Sequence, residues 1–173
     1  QVAHVLSTQC IPQVRLRTLL IQVDGILPVG VAPKDLSLML IATHGTAAAS
    51  GHAIEYRGEA MSALTMEGRM TLCNMSIEIG ARVGMVAPDE VTYQYLKDRP
   101  FVRTGLLSVD ELTTTWSELR SDDDAEFDEI WQLDAGHTAP MVSWGTTPAM
   151  SSPVTGHVPE PDQTDDPETT RRA

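Results

Sequence analysis

The sequence is poor in cysteine and has no long apolar run. Its 173 residues include only Cys10 and Cys73, too few for a disulfide scaffold or for the four-cysteine ligation of ordinary iron–sulfur proteins. We expect both thiols to be buried in a reducing compartment. The longest apolar run, residues 36–42, is far shorter than the roughly 18 residues that a membrane span requires. These absences predict a soluble, cytoplasmic protein that has no contact with a membrane.

Basic side chains are also scarce. The chain has 12 lysines and arginines against 24 aspartates and glutamates, a net charge of -12. Because nucleic acids are densely anionic, this balance and the lack of a basic stripe exclude a nucleic-acid partner. The imbalance is concentrated after residue 100, where 15 acidic side chains lie with only four basic ones. In that part, the acidic residues 121–129 contain no glycine, so they predict a solvated turn rather than a calcium loop.

The length suits one ordinary domain or a tight pair, and hydrophobic residues make up 42% of the chain, as in soluble globular proteins. We predict an α/β segment over residues 1–150, in which residues 1–14 end a preceding domain and residues 15–150 form the main unit. Residues 151–173 carry four prolines among aspartates and threonines, which predicts an acidic, proline-rich linker or tail. The chain opens on Gln1 without a secretory signal, so we expect an excerpt or a lost start.

Hydrophobic periodicity predicts strands that alternate with helices. Alternating and β-branched residues predict strands over residues 15–23, 53–56 and 84–87. Pro33 sits at a plausible first helical position, and a largely apolar stretch follows it towards Gly45. Spacings of three and four residues predict further helices over residues 4–9, 66–82, 89–97 and 108–120. Strands interleaved with helices indicate α/β layers rather than a helix bundle.

The predicted helix over residues 66–82 carries the strongest chemical signal. Asn74 and Glu78 are four residues apart, so on a helix they project from the same face. Their neighbours are mostly methionine, leucine, isoleucine and small residues. Such surroundings would remove water from the Glu78 carboxyl group and favour a group that holds or passes a proton, with the Asn74 amide orienting it. The alternative is that Glu78 lies at the helix rim and forms an ion pair with Arg69 or Arg82.

Three weaker patterns predict no metal site, phosphate loop or reactive cysteine. His52 and Glu55 are three residues apart, but their neighbours favour a strand, which sends the two side chains to opposite faces and argues against a shared metal. Residues 45–51 begin and end with glycine but lack the Gly-Lys-Ser/Thr ending of a phosphate loop. Cys73 lies within the apolar helix and is predicted to be inert. We therefore predict no metal ligand in this chain.

The helix that holds Asn74 and Glu78 also carries a family resemblance. Residues 65–82, followed by Ala87-Pro88-Asp89-Glu90, closely resemble the large subunits of 3-isopropylmalate dehydratases, a group within the aconitase family. The similarity continues in order along most of the chain, in residues 5–9, 23–25, 27–28, 34–35, 51–56, 58–60, 99–100, 120–122, 142–146 and 158–161. The resemblance implies a layered αβα segment of the large-subunit core of that family.

The resemblance also implies an activity. Enzymes of this group are hydro-lyases of leucine biosynthesis that interconvert 2-isopropylmalate and 3-isopropylmalate by dehydration and rehydration at a 4Fe-4S cluster with one open iron. In the family pattern, an asparagine and a glutamate reach towards that iron and its water, and they correspond here to Asn74 and Glu78. The resemblance further implies a small-molecule hydroxy-dicarboxylate substrate and a heterodimer with a separate small subunit.

Departures from the family pattern qualify these expectations. The family carries an Asp-Ser-His-Thr segment upstream and a Gly-x-Cys-Thr-Asn motif with a Cys-x-x-Cys pair downstream, and residues 1–173 contain none of them. Neither Cys10 nor Cys73 corresponds to a cluster ligand. We therefore expect an internal portion of a larger subunit that binds no cluster and is inactive alone. The alternatives are an inactive binding or scaffold derivative of the fold, and a segment of a homoaconitase large subunit.

Overall fold

The computed structural model describes residues 2–103, 108–157 and 160. Seven helices and six strands alternate over most of this part of the chain. The helices are α1 (Val2–Thr8), α2 (Pro33–His44), α3 (Glu59–Ser62), α4 (Met66–Met75), α5 (Glu90–Leu96), α6 (Pro100–Arg103) and α7 (Val109–Ser117). The strands are β1 (Arg17–Asp24), β2 (His52–Arg57), β3 (Val83–Val86), β4 (Glu129–Asp134), β5 (Met141–Ser143) and β6 (Ser151–Pro153).

Four of the strands form a parallel sheet in the order β3-β2-β1-β4. Leu19 of β1 pairs with Ile54 of β2 on one side and with Glu129 of β4 on the other. The chain moves outward from β1 to β3 and then returns to add β4 at the opposite edge, the strand order of a doubly wound sheet. The remaining strands, β5 and β6, pair in an antiparallel hairpin. The predicted α/β class is confirmed.

The hydrophobic core lies between one face of this sheet and helices α2, α3 and α4. Alternate side chains of β1 and β2 point into it, as the twofold period of a strand requires. Their partners are apolar side chains of the three helices, and the largest buried members are Leu19, Ile21, Val23, Ile54, Leu36, Ile41, Met61 and Leu72. The second face is crossed by the segment after α7, in which Phe127 lies under the Arg57 guanidinium and Ser121 donates a hydrogen bond to Glu55.

An ion pair between a buried arginine and a partly exposed aspartate joins three of the helices. Arg69 of α4 donates hydrogen bonds to both carboxylate oxygens of Asp89 at 2.6 and 2.8 Å, and also to the carbonyl of Ser62 at the end of α3. Asp89 caps α5 by accepting the Thr92 amide. The hydrogen bonds from Arg69 hold the pKa of the Asp89 carboxyl below its usual range.

The predicted helix over residues 66–82 is wrong in its second half. Helix α4 ends at Met75, a 3-10 turn follows over Ser76–Ile79, and Gly80 closes it at φ +93°. The positive φ explains why glycine stands there. Polar contacts of Ser76 accompany the change of helix type, since its hydroxyl donates to the Leu72 carbonyl and pairs with the Tyr56 hydroxyl.

The acidic residues 121–129 are not only a solvated turn. They lead into strand β4, which the sequence analysis did not predict, and Asp128 fastens that strand to the edge of β1. Its carboxylate accepts hydrogen bonds from the amide and the hydroxyl of Thr18 at 2.7 and 3.0 Å. These bonds lower the pKa of Asp128. One carboxylate of the run is therefore a structural acceptor rather than part of a free acidic surface.

Two further findings concern the ends of the described chain. Ser151 and Ser152, on the tail side of the predicted boundary, belong to β6 and pair with Ser143 and Val142. Helix α1 buries no residue. Within residues 2–103, 108–157 and 160, no helix is long and apolar enough to cross a membrane.

Candidate functional site

A cavity of about 780 Å³ opens where three parts of the chain meet. Helix α2 supplies one wall, the end of α4 with its 3-10 turn supplies the second, and strand β5 with the loop after it supplies the third. The polar residues of the lining are Lys34, Asp35, Thr71, Asn74, Glu78, Ser143, Thr146 and Thr147. The cavity thus presents an ammonium group, two carboxylates, an amide and several hydroxyls to one space.

Asn74 and Glu78 both line this cavity, and both side chains are exposed. Asn74 lies in the last turn of α4, whereas Glu78 lies in the 3-10 turn that follows. The expectation that apolar neighbours strip water from Glu78 is wrong for this chain, because the carboxylate faces open space. Both groups are therefore available to a ligand in the cavity.

The alternative of a rim ion pair for Glu78 is not realised. Arg69 is engaged by Asp89 and the Ser62 carbonyl, and Arg82 donates to the Gln13 side chain at 3.0 Å. Among the ion pairs of the described residues, none includes Glu78. A carboxylate without a protein cation can accept a hydrogen bond or a proton from a bound molecule.

The turn that carries Glu78 rests on a buried polar contact. The Tyr56 and Ser76 hydroxyls lie 2.9 Å apart, and the Ser76 hydroxyl also donates to the Leu72 carbonyl at 3.0 Å. Burial raises the pKa of the Tyr56 phenol to about 12, so this hydroxyl stays protonated near neutral pH. Gly84 of β3 passes close by, and a Cβ there would lie 2.2 Å from the Ser76 hydroxyl oxygen. The close approach of β3 therefore requires glycine at this position.

The third wall depends on Asp35, which the sequence analysis did not single out as a site residue. One carboxylate oxygen of Asp35 accepts the Ala32 amide at the start of α2, and the other accepts the Met141 amide at the start of β5, at 2.7 and 2.8 Å. Asp35 thus joins the helix to the hairpin that closes the cavity. The available signal was its place beside Lys34 in a segment of family resemblance, but its contact with Met141 spans more than a hundred residues and has no local pattern.

The weaker patterns give no second site. His52 and Glu55 lie on β2, three residues apart and so on opposite faces; His52 is buried with its Nε2 3.6 Å from a Glu129 oxygen, and Glu55 pairs with Arg57. In the described part of the chain, no three His, Cys, Asp or Glu side chains are grouped to hold a metal. Cys10 is exposed, so the expectation of two buried thiols is wrong for it, whereas partial burial raises the pKa of the Cys73 thiol.

The fold and the cavity define an α/β domain that presents an unpaired carboxylate and an amide to a solvent-open, polar space. A family model described as the aconitase family (aconitate hydratase) matches residues 1–173. The chain belongs to the aconitase family. Membership in this family supports hydro-lyase activity in general. It also supports the iron–sulfur class, since proteins of this family typically bind a 4Fe-4S cluster.

Proposed function

We propose that this chain is part of a 3-isopropylmalate dehydratase large subunit and contributes Asn74 and Glu78 to its active site. The observation that carries the proposal is the shared cavity: the two residues that match the family pattern face one space, and Glu78 has no ion-pair partner there among the described residues. Family membership over residues 1–173 supports the hydro-lyase reaction. The resemblance of residues 65–82 supports the particular substrate pair, 2-isopropylmalate and 3-isopropylmalate.

The chemistry assigned to this chain concerns proton transfer and orientation. Dehydration removes a hydroxyl and a hydrogen from neighbouring carbons, and rehydration returns them in exchanged positions. Glu78 would exchange a proton with the departing or attacking water, and Asn74 would hold that water or the carboxylate in line through its amide. When bound, the family's cluster supplies Lewis-acid activation of the hydroxyl. The described residues do not offer a ligand set for it, so we assign no ligand and no reaction step to this chain through the cluster.

The other polar residues of the cavity suit an anionic substrate. Lys34 adds a positive charge to the lining of the cavity, while both oxygens of Asp35 accept hydrogen bonds from backbone amides. Hydroxyls from Thr146 and Thr147 add uncharged donors, whereas the Thr71 hydroxyl donates to the Glu67 carbonyl. This set fits a hydroxy-dicarboxylate. The proposal also includes a separate small subunit as partner, which would complete the site in the cytoplasm.

The test is the substitution Glu78→Gln in the complete enzyme, assembled with its small subunit and assayed with 2-isopropylmalate. Loss of a positioned acid–base group lowers turnover by about 10²–10⁴-fold, and the visible absorbance of the cluster stays unchanged because Glu78 is not a ligand. The matched control is Glu67→Gln, which removes the same charge from the exposed first turn of α4, outside the cavity. This variant should retain full turnover.

Three results would count against the proposal. Unchanged turnover in the Glu78→Gln variant removes the catalytic assignment of this residue. A preference for homoaconitate over isopropylmalate moves the chain to the homoaconitase group. Absence of hydro-lyase activity in the complete, cluster-loaded protein leaves a binding or scaffold protein of the same fold.

A further inference from the structure

A second cavity, of about 210 Å³, lies at the carboxyl ends of β2 and β3. Its lining contains three guanidinium groups, those of Arg57, Arg69 and Arg120, and one carboxylate, that of Asp89. It shares no lining residue with the cavity of Asn74 and Glu78. The net charge of the chain is -12, so the protein as a whole repels small anions. A local group of three arginines is therefore an exception to the general charge of the chain.

The guanidinium groups of this cavity have hydrogen-bond donors to spare. Arg69 is only 3% exposed, and its Nε finds no acceptor although its two Nη atoms are bound to Asp89. Arg57 pairs with Glu55 through Nε at 2.6 Å, whereas its Nη2 is buried without a partner. A charged donor left without an acceptor destabilises the folded state.

Arg57 and Arg120, unlike Arg69, expose part of their side chains. The Arg57 side chain is 28% exposed, and its guanidinium carbon lies 5.1 Å from the centroid of the Phe127 ring. The Arg120 side chain is 61% exposed and is paired with Asp123 through a single nitrogen. Arg57 is thus fixed in orientation while Arg120 can turn towards a ligand. Planar guanidinium groups bind carboxylate and phosphate oxygens in pairs, which favours an oxyanion over other ligands.

We propose that this cavity is a binding site for a small oxyanion, a phosphate or a carboxylate, held by Arg57 and Arg120 of its lining. Its volume of about 210 Å³ is below the roughly 300–1,000 Å³ of pockets for drug-sized ligands, which favours an inorganic anion or a short dicarboxylate. The site is independent of the function proposed for Asn74 and Glu78.

The experiment is thermal unfolding of the 173-residue chain in increasing inorganic phosphate or succinate, with chloride added to hold the ionic strength constant. Binding to the folded state raises the Tm, by about 3–6 °C at ten times the Kd for a chain of this size. Arg120→Gln, at an exposed position, should weaken binding at least tenfold without affecting the fold, and Arg57→Gln should weaken binding to a similar extent. Arg82→Gln removes a guanidinium from the residue before β3, away from the cavity, and should leave the affinity unchanged.

The results distinguish a phosphate from a dicarboxylate ligand, and they can also overturn the proposal. Saturable stabilisation by phosphate alone assigns a phosphate ligand, and stabilisation by succinate alone assigns a dicarboxylate. A Tm that does not rise with either anion overturns the proposal. It is also overturned if Arg120→Gln and Arg57→Gln bind the anion as tightly as the Arg82→Gln control does.

Discussion

Removing Asp89 should lower the free energy of unfolding more than removing its ion-pair partner Arg69. The Arg69 side chain is 3% exposed, whereas that of Asp89 is 40% exposed. Asp89→Ala therefore leaves the nearly inaccessible Arg69 guanidinium without its carboxylate. Arg69→Met instead leaves a carboxylate that water can solvate, and it fills much of the vacated space with an apolar side chain.

The two costs follow from this difference in burial. An uncompensated buried charge destabilises by about 3–5 kcal/mol, and Asp89→Ala also removes the hydrogen bond that caps α5. Arg69→Met removes hydrogen bonds to Asp89 and Ser62 but strands no buried charge, so we expect about 1–3 kcal/mol. Because the folded-state pKa of Asp89 is lowered, the stabilisation by its carboxylate is full above the unfolded pKa, near about 4. It is lost as the pH falls through the folded value.

Urea unfolding near pH 7 measures both changes. With a slope of about 2–3 kcal/mol per molar urea, Asp89→Ala should lower the midpoint by about 1–2 M, and Arg69→Met by clearly less. Asp123→Ala, which breaks the exposed pair with Arg120, should leave the midpoint unchanged. The reasoning is refuted if Arg69→Met destabilises as much as Asp89→Ala, or if Asp89→Ala behaves like Asp123→Ala.

Two further predictions concern hydrogen-bonded side chains. Ultraviolet absorbance titration should find one tyrosine that ionises near pH 12, and Tyr56→Phe should abolish this step and destabilise the chain by about 0.5–1.5 kcal/mol; a normal titration of Tyr56 would contradict its burial. Asp128 has a lowered pKa because Thr18 donates to it, so its stabilisation is present above the unfolded pKa and lost as the pH falls through the folded value. Asp128→Asn should therefore flatten the fall in Tm between about pH 5 and pH 3, whereas a slope equal to that of the unmodified chain would show that this contact does not contribute.

The parts of the fold that the sequence predicts are those whose pattern is local. Strand β1 and helix α2 have uniform apolar patterns bounded by Gly25, Pro33 and Gly45, and both were predicted close to their observed bounds. Strand β4 has a comparable pattern in Ile130, Trp131 and Leu133, but it begins within an acidic run that indicates a solvated turn. Its place in the sheet depends on pairing with β1, more than a hundred residues earlier. A pattern within about ten neighbouring residues cannot predict pairing between strands so far apart in the sequence.

The pair of Asn74 and Glu78 shows why a spacing argument can survive an error in the element that carries it. In a continuous α-helix, four residues turn the chain by about 400°, so the two side chains lie about 40° apart around the axis. A 3-10 turn advances about 120° per residue, so the observed change of helix type after Met75 increases that separation to about 80–100°. Both values keep the two side chains on one side of the helix, and both residues accordingly line one cavity. The spacing does not predict the opposite wall of the cavity, because that wall depends on the tertiary contact of Asp35 with Met141. The spacing therefore predicts which side chains share a face, while the sequence alone does not determine what that face meets.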